Sequence, residues 1–292
     1  MTDLDIKQVH DIPLSEVSGL GRRSPPGTDA LQVIAVGDAD YTLVVGGIKK
    51  SDEVSDFSEV RLQRVIGTDD PEQSSEWEAA DGDVTGRVFI LEENPSRVYV
   101  LSPELDELLS TIDLPFKPPD ELAGQWDTAP NSQAEGLVLL RNGHVLVAKE
   151  KDPAVLLEFG PRTGDPEGVS PGLLFGSSDE FPAPRDQQVR FDLLEVWTLD
   201  SKAGAEIRDI SDVAVGPDDR LYLLSDESGC IARVEPDLQP AEKKLSITRL
   251  WRLPPELEQP EGLVIDDDMG AIVAIDRAAR AENLFVLSPL SD

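Results

Sequence analysis

Short apolar stretches recur along the whole chain and are separated by turn-forming residues. Typical stretches are LQVIAVG, RVFIL, HVLVA, RLYLL and AIVAID, and clusters of Gly, Pro, Asp and Asn lie between them. Most of these stretches are apolar on both faces, which is typical of strands buried between two neighbouring sheets. Helical periodicity is nearly absent. The pattern therefore predicts an all-β fold.

The apolar stretches belong to a longer repeat. Four segments open with a carboxylate, continue into an apolar strand, then into a turn that contains Asp or Glu, and end in a second apolar strand. A less similar fifth copy begins at Ser18, with Glu16 two residues earlier. The opening carboxylates of the other four copies are Glu78, Glu135, Asp212 and Glu261.

Repeats of several strands at this kind of period are the sequence signature of a β-propeller. The five copies account for the chain, so we expect one β-propeller domain over residues 1–292 with five blades. A sixth blade is the alternative, with LLEVWTLD as one of its strands. The N-terminal strand, within Ile6–Leu14, is expected to complete the last blade and close the ring. Residues 160–192 are rich in Gly, Pro and Ser and predict a surface loop excursion over one face.

The repeat motifs resemble those of the SdiA-regulated family of bacterial β-propellers, which is related to the esterase-like propeller domain found near phytases. The motifs that carry the resemblance are SEVSGL, AEGL, PEGL, VAKEKDP, DISDVAV, LLSDES and AENLFVL, and they run through most of the chain. The resemblance implies a propeller with acidic loops on its top face, and calcium has been associated with such propellers. The chain departs from the family in lacking an export signal and in the long interval after Pro161.

The charge balance narrows the classes of partner. The chain has 58 acidic and 26 basic residues and a net charge of -32. Neutralising phosphates requires basic patches, so this balance argues against nucleic acids and anionic membranes as partners. No apolar run approaches the length of a membrane span, and the first residues lack a secretory signal. We therefore expect a soluble, cytoplasmic monomer whose partner is a small molecule or a peptide.

The opening carboxylates are the candidate chemistry. If the copies superpose, Glu78, Glu135, Asp212 and Glu261 surround one axis with Glu16 or Ser18. A second tier follows the next strands and consists of Asp38, Glu92 or Glu93, Glu150, Asp226 or Glu227, and Asp276.

Three arrangements could offset the repulsion among these acids. The carboxylates could accept hydrogen bonds from backbone N–H groups of the turns. Basic residues could lie between them, with Lys149, Arg277 and Arg280 as candidates. A hard cation could bind, and calcium takes six to eight oxygen ligands with tolerant geometry. The sequence thus predicts a Ca²⁺ site, with Mg²⁺ as the alternative, and its predicted ligands are Glu16, Glu78, Glu135, Asp212 and Glu261.

Other catalytic chemistry has little support in the sequence. Neither a G-x-S-x-G elbow nor an H-E-x-x-H motif occurs, and His10 and His144 are expected at the surface. The single cysteine, Cys230, excludes a disulfide framework and is expected to be buried. Two functions remain. One is metal-assisted hydrolysis of an ester or phosphoester, with catalytic candidates Glu135, Glu261 and Lys149. The other is a non-catalytic propeller that binds a peptide or protein on its top face.

Overall fold

Strands make up almost all of the regular structure. The computed structural model describes residues 1–23, 32–48, 56–68, 73–126, 133–175, 179–184, 186–236 and 241–291. Within these ranges there are two helices of four residues each, α1 (Gln63–Ile66) and α2 (Ala203–Glu206). Neither of these two described helices is long and apolar enough to cross a membrane. The predicted all-β class is confirmed.

The strands follow one another with short connections. In chain order they are β1 (Thr2–Asp3), β2 (Ile6–His10), β3 (Val17–Arg23), β4 (Gln32–Gly37), β5 (Thr42–Gly47), β6 (Phe57–Arg61), β7 (Trp77–Gly82), β8 (Val88–Glu92), β9 (Arg97–Leu101), β10 (Leu108–Asp113), β11 (Gly136–Leu139), β12 (Val145–Lys149), β13 (Val155–Pro161), β14 (Gln188–Leu199), β15 (Asp212–Val215), β16 (Leu221–Ser225), β17 (Cys230–Val234), β18 (Lys244–Leu245), β19 (Ile247–Arg252), β20 (Pro260–Ile265), β21 (Gly270–Ile275) and β22 (Leu284–Pro289).

Most strands pair in antiparallel units of four. The first unit is β3–β6, the second β7–β10 and the third β11–β14. The fourth consists of β15, β16, β17 and β19. The fifth consists of β20, β21 and β22, and the N-terminal strand β2 pairs with β22 as its fourth member. The segment LLEVWTLD, a candidate strand of a sixth blade, lies mainly in β14 of the third unit.

The outer strands of several units also pair with each other. β10 of the second unit runs parallel to β14 of the third, so both units belong to one hydrogen-bonded sheet. β18, which precedes β19 in the chain, pairs with β14, and β1 pairs with β19. The first two of these parallel pairings join the second, third and fourth units at their outer rim, and the third attaches the N-terminal strand to the fourth unit.

The apolar cores lie between successive units. Side chains alternate between the two faces of each strand, so Leu137 packs between the second and third units and Val138 packs between the third and fourth. The last core joins the fifth unit to the first, with Val264 and Ile272 packed against Val17 and Leu20. This arrangement explains why the strands are apolar on both faces.

The predicted excursion, residues 160–192, contains the end of β13 and the start of β14. Between these strands the chain does not stay on the surface. Leu174 forms a bridge with Leu140 beside β11, and Phe181 is buried against Phe89 with 5.2 Å between ring centroids. Phe175 lines a cavity between the units together with residues of the innermost strands. Residues 176–178 and 185 lie outside the described ranges.

Candidate functional site

The innermost strand of several units begins with a β-bulge. The pairing register shifts between Val17 and Gly19, between Trp77 and Ala79, and between Pro260 and Gly262. A bulge leaves one extra residue unpaired and re-aims its side chain. The extra residues are Ser18, Glu78 and Glu261.

The third unit places Glu135 in the same position. Its backbone N–H donates to the carbonyl of Ala148 at 2.9 Å, and the next residue, Gly136, is the register partner of Ala148. Glu135 therefore comes directly before the paired residue Gly136, as Glu78 comes before Ala79 and Glu261 before Gly262. Local backbone geometry, and not side-chain chemistry, brings these three predicted acids to one side of the molecule.

These residues line one cavity of about 230 Å³. Glu16 reaches it from the first unit, with its N–H bonded to the carbonyl of Arg277 at 2.9 Å. The described lining contains six carboxylates and one hydroxyl and no basic side chain. Its members are Glu16, Ser18, Asp38, Glu78, Glu135, Glu261 and Asp276.

The second tier of acids follows the second strand of each unit. Asp38 and Asp276 line the cavity. Glu93 is close enough to Glu78 and Glu135 to raise their pKa values, and its carboxylate accepts the Gln133 N–H at 2.6 Å. Glu92 is instead buried and paired with Arg97 at 3.0 Å.

Three further acids of this tier, Glu150, Asp226 and Glu227, lie on the third and fourth units. Glu150 pairs with Lys151 at 2.7 Å, and Glu227 lies 3.8 Å from the same ammonium group. Asp226 donates its backbone N–H to Asp209 at 3.1 Å. The Asp226 and Glu150 carboxylates are close enough to Glu261 to contribute to its pKa.

Burial and mutual repulsion favour the protonated form of three cavity acids, Glu78, Glu135 and Glu261. Burial, reinforced by the neighbouring carboxylates, raises the pKa of Glu78 to about 8 and that of Glu261 to about 9. The same causes raise the pKa of Glu135 well above its usual range. Burial also raises the pKa values of Asp38 and Asp276, with Glu16 as a charged neighbour of both. A cation that enters the cavity would therefore displace protons.

The basic residues expected between the acids have other contacts. The Arg277 guanidinium donates to the Glu282 carbonyl at 3.3 Å, and Arg280 pairs with Glu59 at 3.5 Å. Lys149 is fully buried, donates to the Lys151 carbonyl and lies 5.4 Å from the centre of the Trp126 ring. None of the three belongs to the described lining of the cavity. Of the catalytic candidates, only Glu135 and Glu261 line it.

Asp212 lies elsewhere than expected. In the fourth unit, the Ser211 N–H donates to the carbonyl of Leu224, and Asp212 is the register partner of Leu224. Ser211 thus takes the position of Glu135, and Asp212 takes that of Gly136. A slip of one residue turns a side chain to the other side of a strand. The Asp212 carboxylate is buried below the cavity and accepts the backbone N–H groups of Leu263 at 2.6 Å and Val213 at 2.7 Å.

His144 also differs from its expected surface position. It is buried, and its Nδ1 lies 2.8 Å from the fully buried Glu158 carboxylate. Glu158 in turn accepts backbone N–H groups of Glu167 and Gly168, which fixes the start of the excursion. Cys230 is buried, as expected.

The structure does not present a preformed metal centre in the described ranges. There, no group of three or more His, Cys, Asp or Glu side chains converges on a point where an ion could bind. The donor atoms of the cavity are all oxygens, which suit a hard cation, but they lie around a space rather than around a point. The predicted metal ligands therefore stay a prediction.

Comparisons with known structures identify the fold. A glutaminyl cyclase from Myxococcus xanthus is 10% identical, with a TM-score of 0.50, and the match covers 98% of this chain and 95% of that one. A streptogramin B lyase is 13% identical, with 98% of each chain covered and a TM-score of 0.46.

A functionally unknown protein from Desulfotomaculum acetoxidans is 12% identical with a TM-score of 0.43. That match covers 89% of this chain, which spans 63% of the other protein's length. The likeness to the glutaminyl cyclase concerns the β-propeller fold and says nothing about activity. No curated protein matches the sequence.

The family model described as SdiA-regulated matches residues 64–275, which is more than half of the chain and includes Glu78, Glu135 and Glu261. The resemblance seen in the motifs is thereby confirmed. The chain belongs to the SdiA-regulated family.

Proposed function

We propose that the chain is a five-bladed β-propeller, closed by β2, whose acidic cavity is a binding site for a cation. Each four-stranded unit is one blade in this proposal. The cyclic order of the cores supports it, because the fifth unit packs against the first as the others pack in sequence. The pairing of β2 with β22 supports closure by the N-terminal strand, since it joins the two ends of the chain in one sheet.

One observation carries the cation site. Six carboxylates line a cavity of about 230 Å³, and no basic side chain is among its described lining residues. Grouped, buried carboxylates repel one another unless a positive charge enters or protons remain bound. The pKa values of Glu78, Glu135 and Glu261 are raised because their ionised forms are unfavourable in a buried, acidic cavity that holds no cation.

Calcium is the proposed ion, with magnesium as the alternative. Ca²⁺ accepts six to eight oxygen ligands in flexible geometry, whereas Mg²⁺ demands a near-octahedral set. Because three carboxylates do not converge in the described residues, a wide and tolerant coordination shell that keeps water ligands fits this cavity better. The proposed ligands are Glu16, Glu78, Glu135 and Glu261, and a small molecule or peptide would be the partner at this face.

Calorimetric titration of protein purified with a chelator tests the site. We expect wild-type protein to bind Ca²⁺ at pH 8, and the double variant Glu135→Gln/Glu261→Gln to bind at least about tenfold more weakly. The matched control is Glu256→Gln, which removes an exposed carboxylate from the loop before β20. Wild-type protein that binds neither Ca²⁺ nor Mg²⁺ at millimolar concentration and pH 9 would remove the cation site.

Hydrolysis is the second candidate, supported by two carboxyl groups whose pKa values lie well above the ordinary value for glutamate. Glu78, with a pKa of about 8, and Glu261, with a pKa of about 9, lose their protons when a cation binds in this proposal and could then accept a proton from an attacking water molecule. A bound Ca²⁺ would supply the positive charge that draws an ester or phosphoester into an otherwise anionic cavity. A panel of such esters with and without Ca²⁺ separates this function from a purely binding one, in which no turnover is expected.

A further inference from the structure

The Asp212 carboxylate makes an unusual set of contacts for a side chain outside the cavity. It is 1% exposed and accepts three backbone N–H groups, those of Val213, Leu263 and Leu20. Val213 belongs to its own unit, Leu263 to the fifth and Leu20 to the first. One carboxylate therefore joins the innermost strands of three units.

Each of these contacts adjoins a residue at a cavity-lining position. Leu263 follows Glu261 by two residues, and Leu20 follows Ser18 by two residues. A Cβ atom added to Gly136, directly after Glu135, would lie 3.1 Å from Asp212 Oδ1. Asp212 thus contacts β3 of the first unit, β11 of the third and β20 of the fifth. In each strand the contact lies one or two residues after the cavity-lining position.

Asp212 occupies a position where the other units have small residues. The corresponding residues are Gly19, Ala79, Gly136 and Gly262, by their register partners in the adjacent strands. Only the fourth unit places a polar side chain there. This position lies directly next to the cavity residues in the chain, on the side away from the cavity.

We infer that Asp212 is a positioning residue, whose carboxylate holds the backbone after Ser18 and Glu261 by hydrogen bonds, packs against the backbone after Glu135, and so aims these side chains into the cavity. The inference rests on the proposed function, because what Asp212 positions is the proposed cation site. Residues that orient ligands in this way typically change metal affinity by 10- to 100-fold when they are replaced.

A purely structural role for Asp212 is the competing explanation, and Asp81 provides the control for it. Asp81 is also an acid on an innermost strand that accepts backbone N–H groups, those of Gly82 at 2.8 Å and of Leu139. These amides lie four residues after Glu78 and Glu135, beyond the segments that Asp212 contacts. Loss of the Asp81 carboxylate should lower stability without moving the cavity residues.

The experiment compares Asp212→Asn with Asp81→Asn. Asparagine keeps the shape of aspartate but turns an NH₂ group toward at least one N–H donor, which is then unpaired. Both variants should unfold at lower urea concentration. At a temperature where both are folded, Asp212→Asn should weaken Ca²⁺ binding by at least about tenfold, and Asp81→Asn by less than about twofold. Asp212→Ser, which keeps one acceptor in a smaller side chain, replaces the Asn variant if that variant does not fold.

A second readout does not depend on cation binding. Burial gives Glu261 a pKa of about 9, so a shift of its side chain toward solvent lowers that value. Carbon-13 NMR titration of the Glu261 carboxyl should show a lower pKa in Asp212→Asn than in wild type, and no change in Asp81→Asn.

The outcomes separate this inference from the proposed function. Equal Ca²⁺ affinity in wild type and Asp212→Asn, or equal loss in both variants, would overturn the positioning role while leaving the cation site in place. If wild type binds no cation, the proposed function fails. The Glu261 titration then decides whether Asp212 positions that side chain, and an unchanged pKa rejects it.

Discussion

Replacing Glu261 by glutamine is expected to stabilise the cation-free protein, and increasingly so at higher pH. Glu261 is buried among carboxylates, and its pKa rises from an ordinary value of 4.5 to about 9 in the folded state. Glutamine has nearly the shape of a protonated glutamate and never ionises. The substitution therefore removes the cost of ionising this group inside the cavity.

The sign and size of the effect follow from proton linkage. Between pH 4.5 and 9 the folded state binds this proton more tightly than the unfolded state, so the free energy of unfolding falls as pH rises through that window. Each pKa unit corresponds to about 1.4 kcal/mol. Relative to wild type, Glu261→Gln should gain less than about 1 kcal/mol at pH 5 and about 5 kcal/mol at pH 8.

Urea denaturation in the presence of a chelator measures this difference. Trp77, Trp197 and Trp251 are fully buried, so tryptophan fluorescence reports unfolding. The exposed-acid variant Glu256→Gln should track wild type at both pH values. Added Ca²⁺ should stabilise wild type more than Glu261→Gln, because the variant lacks one proposed ligand.

Two results would refute the reasoning. If Glu261→Gln has the same advantage over wild type at pH 5 and at pH 8, its effect does not come from ionisation in the cavity. If Glu261→Gln is less stable than wild type at pH 8 without cation, the glutamate makes a favourable contact that the argument omits.

Two further predictions concern the cavity and the ring. Ca²⁺ affinity should rise between pH 7 and pH 9, with at least about two protons released per ion at pH 7, because Glu78 and Glu261 must ionise and Glu135 also has a raised pKa. Calorimetry in two buffers of different ionisation enthalpy measures the release, and a pH-independent affinity would contradict it. Deletion of residues 1–11 should lower the urea midpoint and promote association, since β22 loses its partner strand β2. An added peptide spanning Ile6–His10 should partly restore the midpoint, and a deletion variant as stable as the full chain would rule out closure by this strand.

Much of the fold could be predicted because its physical causes lie in neighbouring residues. Strands between two cores must be apolar on both faces, and this is visible in a stretch such as HVLVA. Three of the cavity acids could likewise be predicted from the sequence. Glu78, Glu135 and Glu261 each precede a small residue, Ala or Gly, at the start of an innermost strand.

The position of Asp212 was predicted wrongly because its carboxylate was aligned with the opening glutamates of the other repeat copies. If SDV in DISDVAV is instead aligned with EGL, so that the apolar third residues coincide, Ser211 takes the place of the glutamate and Asp212 that of glycine. The register of the fourth unit has this alignment. The signal was therefore present in the sequence, in the spacing to Val213 rather than in the charge.

Other features of the site depend on contacts that no local pattern records. His144 lies in a polar turn, yet its ring packs against Gly160 and pairs with Glu158 on the next strand. The pKa values of Glu78 and Glu261 depend on how far the bulges bring acids of different units into one space. Repulsion among the acids could be foreseen, but its size required their positions.

The parallel pairings at the outer rim have a mechanical consequence. Backbone hydrogen bonds tie the second, third and fourth units together through β10, β14 and β18, whereas no described strand ties the rim of the first unit to a neighbour. Under thermal or pulling stress the ring should part at the first unit, where the described residues make single hydrogen bonds to the neighbouring units, such as that from the Glu16 N–H to the Arg277 carbonyl, instead of strand pairings. The first unit contributes Glu16, Ser18 and Asp38 to the lining of the cavity. A cation bound in the cavity would therefore hold the first unit to its neighbours at the interface that is expected to separate first.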